Sequence, residues 1–218
     1  MSGTSSLPLA VHGMTVRSGH ALHRNLPVLT RPVGEEGECA RKLARHCVSQ
    51  WLDLEPNQVV IARDASGRPY VDHPQAPGVS ISHSNGHVAV LVAHGVVGVD
   101  IEHVRAVRSP FAVADAAWPP SLSRVLRSGA CDFFSLWTMA EAIGKALGKG
   151  LHGLRHRDIR YVQADGRPSL QFGRLRAWNL PTWPGFAAAL CSEVEDGRCL
   201  PDASFIEHPP GVAGALGR

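Results

Sequence analysis

The 218-residue sequence predicts an α+β fold of two similar subdomains, each an antiparallel sheet packed on one long helix. Two long stretches repeat apolar residues at spacings of three and four, which is typical of helices with one buried face. Short β-branched runs separated by turn residues predict strands, and no crossover helix divides the first set, which favours antiparallel pairing. We therefore expect subdomains over residues 1–95 and 96–200, followed by a flexible Gly- and Pro-rich tail over 201–218.

The first half shows one helical pattern between runs that predict strands. The opening 34 residues lack sustained periodicity and predict a loop with a single strand. The dipeptide Asn85-Gly86 suits a two-residue hairpin turn, so the alternating runs on either side of it predict a hairpin. The predicted elements are a strand at Leu9–Val16, a helix at Glu35–Leu52, a strand at Val59–Arg63 with the turn Asp64–Gly67, and hairpin strands at Val79–His83 and Val88–Ala93.

The second half repeats this order of elements after a strand that follows the hairpin closely. Its prolines make residues 105–129 irregular, and only short helical pieces are expected there. Glycines after Leu147 predict the end of the second long helix. The predicted elements are strand Val96–Glu102, helix Cys131–Leu147, and strands Ile159–Val162, Ser169–Phe172, Leu175–Leu180 and Phe186–Cys191, with a hairpin turn at Asp165-Gly166.

Composition excludes several classes of protein. The net charge of +3 comes without any run of Lys or Arg, so no nucleic-acid partner is expected. The apolar runs are too short to cross a bilayer, and the N-terminus lacks a basic region followed by an apolar one. Five cysteines without a C-x-x-C pair indicate neither a disulfide framework nor a zinc ribbon. We expect a cytoplasmic protein with reduced thiols.

Two carboxylates lie two residues apart on the strand that begins at Val96. Side chains at this spacing point to the same face, so Asp100 and Glu102 are expected to lie side by side. Adjacent anions repel unless a cation lies between them, and Mg²⁺ prefers such oxygen ligands. The alternative is a strand end whose two acids are simply hydrated.

The second long helix carries Glu141 and Lys145 four residues apart on one face. An ordinary surface ion pair at this spacing would stabilise the helix by about 0.2 to 0.5 kcal/mol. Against that interpretation, the neighbouring positions of this helix are mostly apolar. Small Gly144 would also permit close approach of another element or a ligand.

A third group of residues could bind phosphate. His83 lies between two serine hydroxyls just before the hairpin turn, and Arg68 offers a guanidinium suited to bidentate phosphate binding. A lone histidine is more often structural or simply exposed than functional. The sequence contains no Walker A loop, G-x-G-x-x-G, H-E-x-x-H or G-x-S-x-G motif, so the common nucleotide-binding and hydrolase classes lose support.

Together and in this order, four blocks resemble those of the Sfp-type 4'-phosphopantetheinyl transferases: Gly67-Arg68-Pro69-Tyr70, Ile81-Ser82-His83-Ser84, Gly98-Val99-Asp100-Ile101-Glu102, and Trp137-Thr138-Met139-Ala140-Glu141-Ala142 with Lys145. The resemblance implies a pseudo-dimer of two α+β halves with coenzyme A bound in the cleft between them. It implies that Asp100, Glu102 and Glu141 hold Mg²⁺ on the coenzyme A pyrophosphate. It also implies that Arg68, Ser82 and His83 contact the nucleotide phosphate end.

The resemblance further implies that Lys145 faces the reacting phosphates and that Glu141 is the candidate base. The expected substrates are coenzyme A and a serine of an apo acyl or peptidyl carrier protein, and a monomer is expected. The sequence departs from the family pattern at several places, among them Ala140, which stands where a lysine is usual, and Ser80, which stands where an asparagine is common. The alternative is a degenerate relative that binds coenzyme A or a carrier protein without transferring the arm.

Overall fold

A computed structural model describes residues 9–15, 35–154, 157–164, 166–194 and 203–208. Within these ranges the chain forms four α-helices, eleven strands and two one-turn 3₁₀ helices. The helices are α1 (Glu35–Leu52), α2 (Pro110–Ala117), α3 (Pro120–Arg127) and α4 (Phe133–Ala146), and the 3₁₀ helices are Pro56–Gln58 and Leu151–Leu154. The strands are β1 (Leu9–Thr15), β2 (Ile61–Arg63), β3 (Pro69–Val71), β4 (Gly78–Ser84), β5 (His87–Ala93), β6 (Val97–His103), β7 (Arg160–Ala164), β8 (Arg167–Phe172), β9 (Leu175–Leu180), β10 (Phe186–Glu193) and β11 (Ala203–His208).

Two main sheets contain most of these strands. The first has the order β11-β1-β5-β4, and the second has the order β6-β10-β9-β8-β7. Every pair in the second sheet is antiparallel, whereas β1 and β11 of the first sheet run parallel. The short hairpin β2-β3 forms a separate pair. The predicted α+β class, with sheets built mainly from antiparallel strands, is confirmed.

Each main sheet packs on one long helix. In the first half, an apolar stripe of α1 that includes Leu43 and Val48 packs against buried residues of β4 and β5. In the second half, α4 contributes Leu136, Met139 and Ile143 to a core shared with the second sheet. The helix begins at an N-cap, where the Asp132 side chain accepts a hydrogen bond from the Ser135 backbone N–H at 2.9 Å. Burial of the two apolar helix faces therefore stabilises both halves.

Two strands differ from the sequence expectations. β3 (Pro69–Val71) is absent from the expectations, which place only the turn Asp64–Gly67 and the phosphate-binding residue Arg68 before it, because three residues are too few to show an alternating pattern. β11 forms within the stretch expected to be a flexible tail, and it pairs with β1 of the first sheet. Its run Ala203–His208 has strand-forming residues, but prolines and glycines on both sides hide the pattern. The pairing of β11 depends on β1, which is far away in the sequence, so the local residue pattern does not predict it.

The expectation of short helical pieces over residues 105–129 agrees with the structure. The irregular region holds the two eight-residue helices α2 and α3, each starting at a proline. The four cysteines in the described ranges are free thiols, and burial raises the pKa of Cys47 to about 12, so this thiol stays protonated. Cys199 and the predicted turn residue Asp165 lie outside the described residues. No helix in the described part of the chain is both long and apolar enough to span a bilayer.

Candidate active site

A close helix-strand contact positions the candidate site. At Gly98 of β6, a Cβ atom would lie 1.9 Å from the carbonyl oxygen of Ala142 on α4, so only glycine permits this approach. At Gly144, a Cβ would lie 2.9 Å from the backbone of Gly150, which agrees with the close approach expected there. Helix α4 therefore lies directly on β6, and its less buried stripe reaches the acids that follow Gly98.

Asp100 is the buried acid of this site. Its side chain is 5% exposed, and its Oδ1 accepts hydrogen bonds from Lys145 Nζ at 2.7 Å and from Ser82 Oγ at 2.8 Å. Its other oxygen, Oδ2, is buried without a hydrogen-bond partner in the described structure. A buried carboxylate oxygen without a donor is costly, so this atom suits a ligand that brings positive charge.

Glu102 lies two residues further along β6, towards the solvent. Its Oε2 accepts a hydrogen bond from Ser84 Oγ at 3.1 Å and lies 3.5 Å from Arg105 Nη1. Asp100 and Glu102 both accept hydrogen bonds from serines of β4, which places them side by side along the same strand boundary. The alternation of side chains along β6 predicts this arrangement.

Glu141 of α4 shares the electrostatic environment of the two strand acids. Burial is the main reason that the pKa of Glu141 is raised to about 7. Repulsion from Asp100 and Glu102 also raises this pKa, whereas the Lys145 ammonium lowers it. Glu141, which is about forty residues away from the other two acids in sequence, therefore lies within electrostatic reach of both. The family resemblance implies that the same three acids hold Mg²⁺, and that assignment stays a prediction.

The donor set suits Mg²⁺, which prefers carboxylate oxygens and usually keeps several waters. As the side chains stand, no three Asp, Glu, His or Cys residues in the described ranges are grouped closely enough to hold a metal ion. Asp100 is instead paired with the Lys145 ammonium. The unpartnered, buried Oδ2 of Asp100 favours a cation at this position. The residues thus fit the ion in their chemistry.

A cleft of about 180 Å³ lies beside the acids, where the two halves meet. It is lined by three cationic side chains, Arg63, Arg68 and Lys145, and by glycines that leave backbone accessible. Arg68 also crosses between the halves, since its Nη1 donates a hydrogen bond to the Ala146 carbonyl at the end of α4, at 3.2 Å. Three cationic side chains in the lining of an open cleft suit a polyanion such as a diphosphate.

The structure places Ser82 and His83 on opposite sides of β4. Ser82 is buried and its hydroxyl faces β6 and Asp100. The His83 side chain is 49% exposed, and its Nδ1 lies 3.2 Å from Oε2 of Glu36 on α1. The structure therefore pairs Lys145 with Asp100, places Glu102 next along β6, puts Glu141 within electrostatic range of these groups and sets Arg68 at the end of α4. The predicted phosphate contacts of Ser82 and His83 remain predictions.

Three residues near this site are absent from the sequence expectations. Arg63 lines the cleft, Arg105 pairs with Glu102, and Glu36 contacts His83. A signal for Arg63 exists in the sequence, because Arg63 and Arg68 flank the same predicted turn. Glu36 gives no such signal, because it lies on another helix and reaches the hairpin only through the packing of α1 on the first sheet.

Residues 96–191 match the family described as the 4'-phosphopantetheinyl transferase superfamily. A Bacillus pumilus protein named 4'-phosphopantetheinyl transferase psf-1 is 31% identical over 134 residues, covering 59% of this chain and 57% of that protein. The L-aminoadipate-semialdehyde dehydrogenase-phosphopantetheinyl transferase of Schizosaccharomyces pombe is 34% identical over 136 residues, covering 51% of each chain. The 4'-phosphopantetheinyl transferase gsp of Aneurinibacillus migulanus is 29% identical over 115 residues, covering 50% of this chain and 47% of that protein.

The chain thus spans about half the length of the curated relatives that it matches. The matched family segment contains β6 and α4, the two elements that carry the acids and Lys145. The resemblance to the 4'-phosphopantetheinyl transferase superfamily is therefore confirmed.

Proposed function

We propose that this protein transfers the 4'-phosphopantetheine arm of coenzyme A to a serine of an apo acyl or peptidyl carrier protein, in a Mg²⁺-dependent reaction that releases 3',5'-ADP. The observation that carries the proposal is the convergence of the β6 acids with Glu141 and Lys145 of α4. This convergence lies within the segment that matches the transferase superfamily. The names of the similar proteins support the same reaction class.

The proposed binding site combines acids for the ion with cations for the substrate. Asp100, Glu102 and Glu141 would hold Mg²⁺, which when bound supplies charge neutralisation at the coenzyme A pyrophosphate. Arg68 and Lys145 line the neighbouring cleft and bring positive charge to the same substrate group. Fixed cations bind and orient a diphosphate, and they stabilise the negative charge that develops on the departing 3',5'-ADP.

The proposed chemistry is a displacement at phosphorus. The carrier serine oxygen forms a bond to the β-phosphorus, and the bond from this phosphorus to the bridging oxygen breaks, so that this oxygen leaves with 3',5'-ADP. Glu141 is the candidate to accept the proton of the serine hydroxyl. Its pKa, raised to about 7 mainly by burial, suits a base that works near neutral pH.

The carrier protein is proposed from the resemblance and from charge. The carrier proteins that serve as substrates of this family are small acidic helical domains. This chain has a net charge of +3 and a sequence pI of about 8.7. Opposite net charges speed the encounter of two proteins. We further propose that the protein acts as a monomer in the cytoplasm, with which its free thiols are compatible.

Intact mass spectrometry tests the proposed transfer directly. Purified protein, coenzyme A and Mg²⁺ are mixed with each member of a panel of apo carrier proteins, and a known transferase serves as positive control. The expected result is one added phosphopantetheine arm on at least one carrier and no addition when EDTA removes the metal. Unmodified carriers throughout, with the positive control active, would contradict the proposal.

Ala140 supports a second candidate function, binding without transfer. This residue is fully buried in the core of the second half, at the position where the family resemblance expects a lysine. The chain therefore lacks one cation at this point of α4. Calorimetry distinguishes the two functions, because the second requires that coenzyme A or a carrier binds while no carrier is modified.

A further inference from the structure

The two main sheets meet along β4 and β6 without backbone pairing between these strands. β4 pairs with β5, and β6 pairs with β10. Three serine hydroxyls of β4 replace the missing carbonyl acceptors, and we call Ser80, Ser82 and Ser84 the serine ladder. The three bonds are Val99 N–H to Ser80 Oγ at 2.9 Å, Ile101 N–H to Ser82 Oγ at 3.3 Å, and His103 N–H to Ser84 Oγ at 3.1 Å.

Two members of the serine ladder also bind the acids of the candidate site. A hydroxyl has one hydrogen to donate and can accept from other groups. Ser82 donates its hydrogen to Asp100 Oδ1, and Ser84 donates to Glu102 Oε2, at 2.8 and 3.1 Å. Each of these serines therefore fixes both the backbone and the side chain of β6. These hydrogen bonds restrict rotation of the Asp100 and Glu102 side chains.

Ser80 provides a natural comparison within the same ladder. Ser82 binds the side chain of the residue just before its N–H donor, and so does Ser84. The corresponding residue for Ser80 is Gly98, which has no side chain. Ser80 therefore shares the backbone bond of the ladder without holding a carboxylate.

We propose that Ser82 and Ser84 are positioning residues that fix the carboxylates of Asp100 and Glu102 for a divalent cation. This inference rests on the proposed function and deepens it. At Asp100, Ser82 and Lys145 both donate to Oδ1, and the buried Oδ2 has no hydrogen-bond partner in the described structure. At Glu102, the bond from Ser84 fixes Oε2. The serines thus hold each acid by one oxygen, so the other oxygen can be presented to the ion.

The test compares Ser82→Ala and Ser84→Ala with Ser80→Ala in the full chain. Calorimetry measures the affinity for coenzyme A over a series of Mg²⁺ concentrations without carrier protein, so no turnover occurs. The readout is the Mg²⁺ concentration that gives half of the metal-dependent gain in affinity. Removing groups that orient metal ligands typically costs about 10- to 100-fold in metal affinity. We expect about a 10-fold higher Mg²⁺ requirement for Ser82→Ala and Ser84→Ala, and less than a twofold change for Ser80→Ala.

Further variants separate positioning from general stability. Each alanine removes one acceptor of a β6 N–H, so a purely structural ladder predicts the same change for all three variants, and that result would overturn the inference. Ser84→Thr keeps the hydroxyl and should restore the wild-type Mg²⁺ requirement. If Ser82→Ala fails to fold, Ser84→Ala and Ser84→Thr decide the question at the less buried end of the ladder. A wild-type protein whose coenzyme A affinity ignores Mg²⁺ would instead contradict the proposed function itself.

Discussion

The two long helices each carry a glutamate four residues before a lysine, and the two pairs differ in what the lysine binds. On α1, Lys42 Nζ lies 3.1 Å from Glu38 Oε1, and the Glu38 side chain is 62% exposed. On α4, Lys145 Nζ lies 2.7 Å from Asp100 Oδ1 of β6 instead. The same spacing therefore gives a surface ion pair on one helix and a contact with a neighbouring strand on the other.

The surroundings of each helix explain this difference. Nine of the 14 residues of α4 are buried, and its partly exposed Lys145 reaches Asp100 of β6. An unpaired buried carboxylate costs more free energy than an exposed ion pair gains, so Lys145 pairs with Asp100. The outer face of α1 meets solvent, and within the described part of the chain Lys42 pairs with the local acid Glu38. The element that packs against the helix thus determines which carboxylate the lysine binds.

The largest expected effect tests the two glutamates as a matched pair. Glu141→Gln keeps the size of the side chain but removes the proposed base and metal ligand. We expect kcat/KM for carrier modification to fall by about 10²- to 10⁴-fold, the usual contribution of a general base. Glu38→Gln should leave the rate within about twofold, because an exposed ion pair contributes little. Initial rates by intact mass spectrometry check both, and a Glu141→Gln rate above a tenth of wild type would contradict the assignment.

The second prediction concerns the close approach that sets α4 on β6. Gly98→Ala would place a Cβ 1.9 Å from the Ala142 carbonyl oxygen, so the helix must move away. Overpacking of this kind should lower the free energy of unfolding by about 3 kcal/mol, near the upper end of its usual range. Urea denaturation measures this change. A loss below about 1 kcal/mol would mean that the contact tolerates a methyl group.

The matched change on α1 should have the opposite sign. At Gly37 a Cβ would make only an ordinary contact, 3.6 Å from Arg41 Nη1. Alanine has the higher helix propensity, so Gly37→Ala should raise the free energy of unfolding by about 0.5 kcal/mol. The same denaturation experiment compares the two glycines. A similar loss in both variants would contradict the distinction between the helices.

Sequence patterns predict those helices and turns that are determined by residues close together in the chain. The three-four spacing of apolar residues predicts α1 with the bounds Glu35–Leu52 that the structure shows. The turn of the β4-β5 hairpin is also predicted, because Asn85 and Gly86 both adopt positive φ, as a two-residue hairpin turn requires. β11 and the serine ladder depend on partners far away in the chain, and nothing in the local pattern identifies those partners.

The candidate site likewise contains some features that local sequence patterns predict and others that depend on the packing of distant elements. The side-by-side placement of Asp100 and Glu102 follows from strand alternation alone. Their approach to Glu141 could be expected only from the family resemblance, since the packing of α4 on β6 depends on Gly98 and on the core beneath it. The pairing of Lys145 with Asp100, rather than with Glu141, follows from burial that only the folded chain creates.

The two lysines provide a third test, on stability. Lys145→Met leaves the Asp100 carboxylate buried without its counter-charge, and removal of one partner of a buried ion pair typically costs about 3–5 kcal/mol. Because the Lys145 side chain is 29% exposed, we expect a smaller loss of about 2 kcal/mol in the free energy of unfolding. Lys42→Met should change it by less than about 0.5 kcal/mol. Equal losses in urea denaturation would show that both lysines form ordinary surface pairs.

The smallest expected effect is a pH dependence of stability that originates at Glu141. Its pKa in the folded protein, about 7, lies above the ordinary value of 4.5, so the folded state binds the proton more tightly than the unfolded state. The resulting stabilisation is complete below pH 4.5 and is lost as the pH rises through 7. Because the side chain is partly exposed, solvent screening reduces this pH-dependent stabilisation to about 1 kcal/mol.

Urea denaturation in EDTA between pH 4.5 and 8 measures this loss. The Glu141→Gln side chain does not titrate. The free energy of unfolding of this variant should therefore fall by about 1 kcal/mol less than that of wild type over the same pH interval. Glu38→Gln again serves as the control on α1 and should follow the wild-type curve. Because Mg²⁺ binds the ionised carboxylate, saturating Mg²⁺ in place of EDTA should flatten the wild-type curve as well. A Glu141→Gln curve parallel to that of wild type in EDTA would show that burial among the acids of β6 does not govern the ionisation of this glutamate.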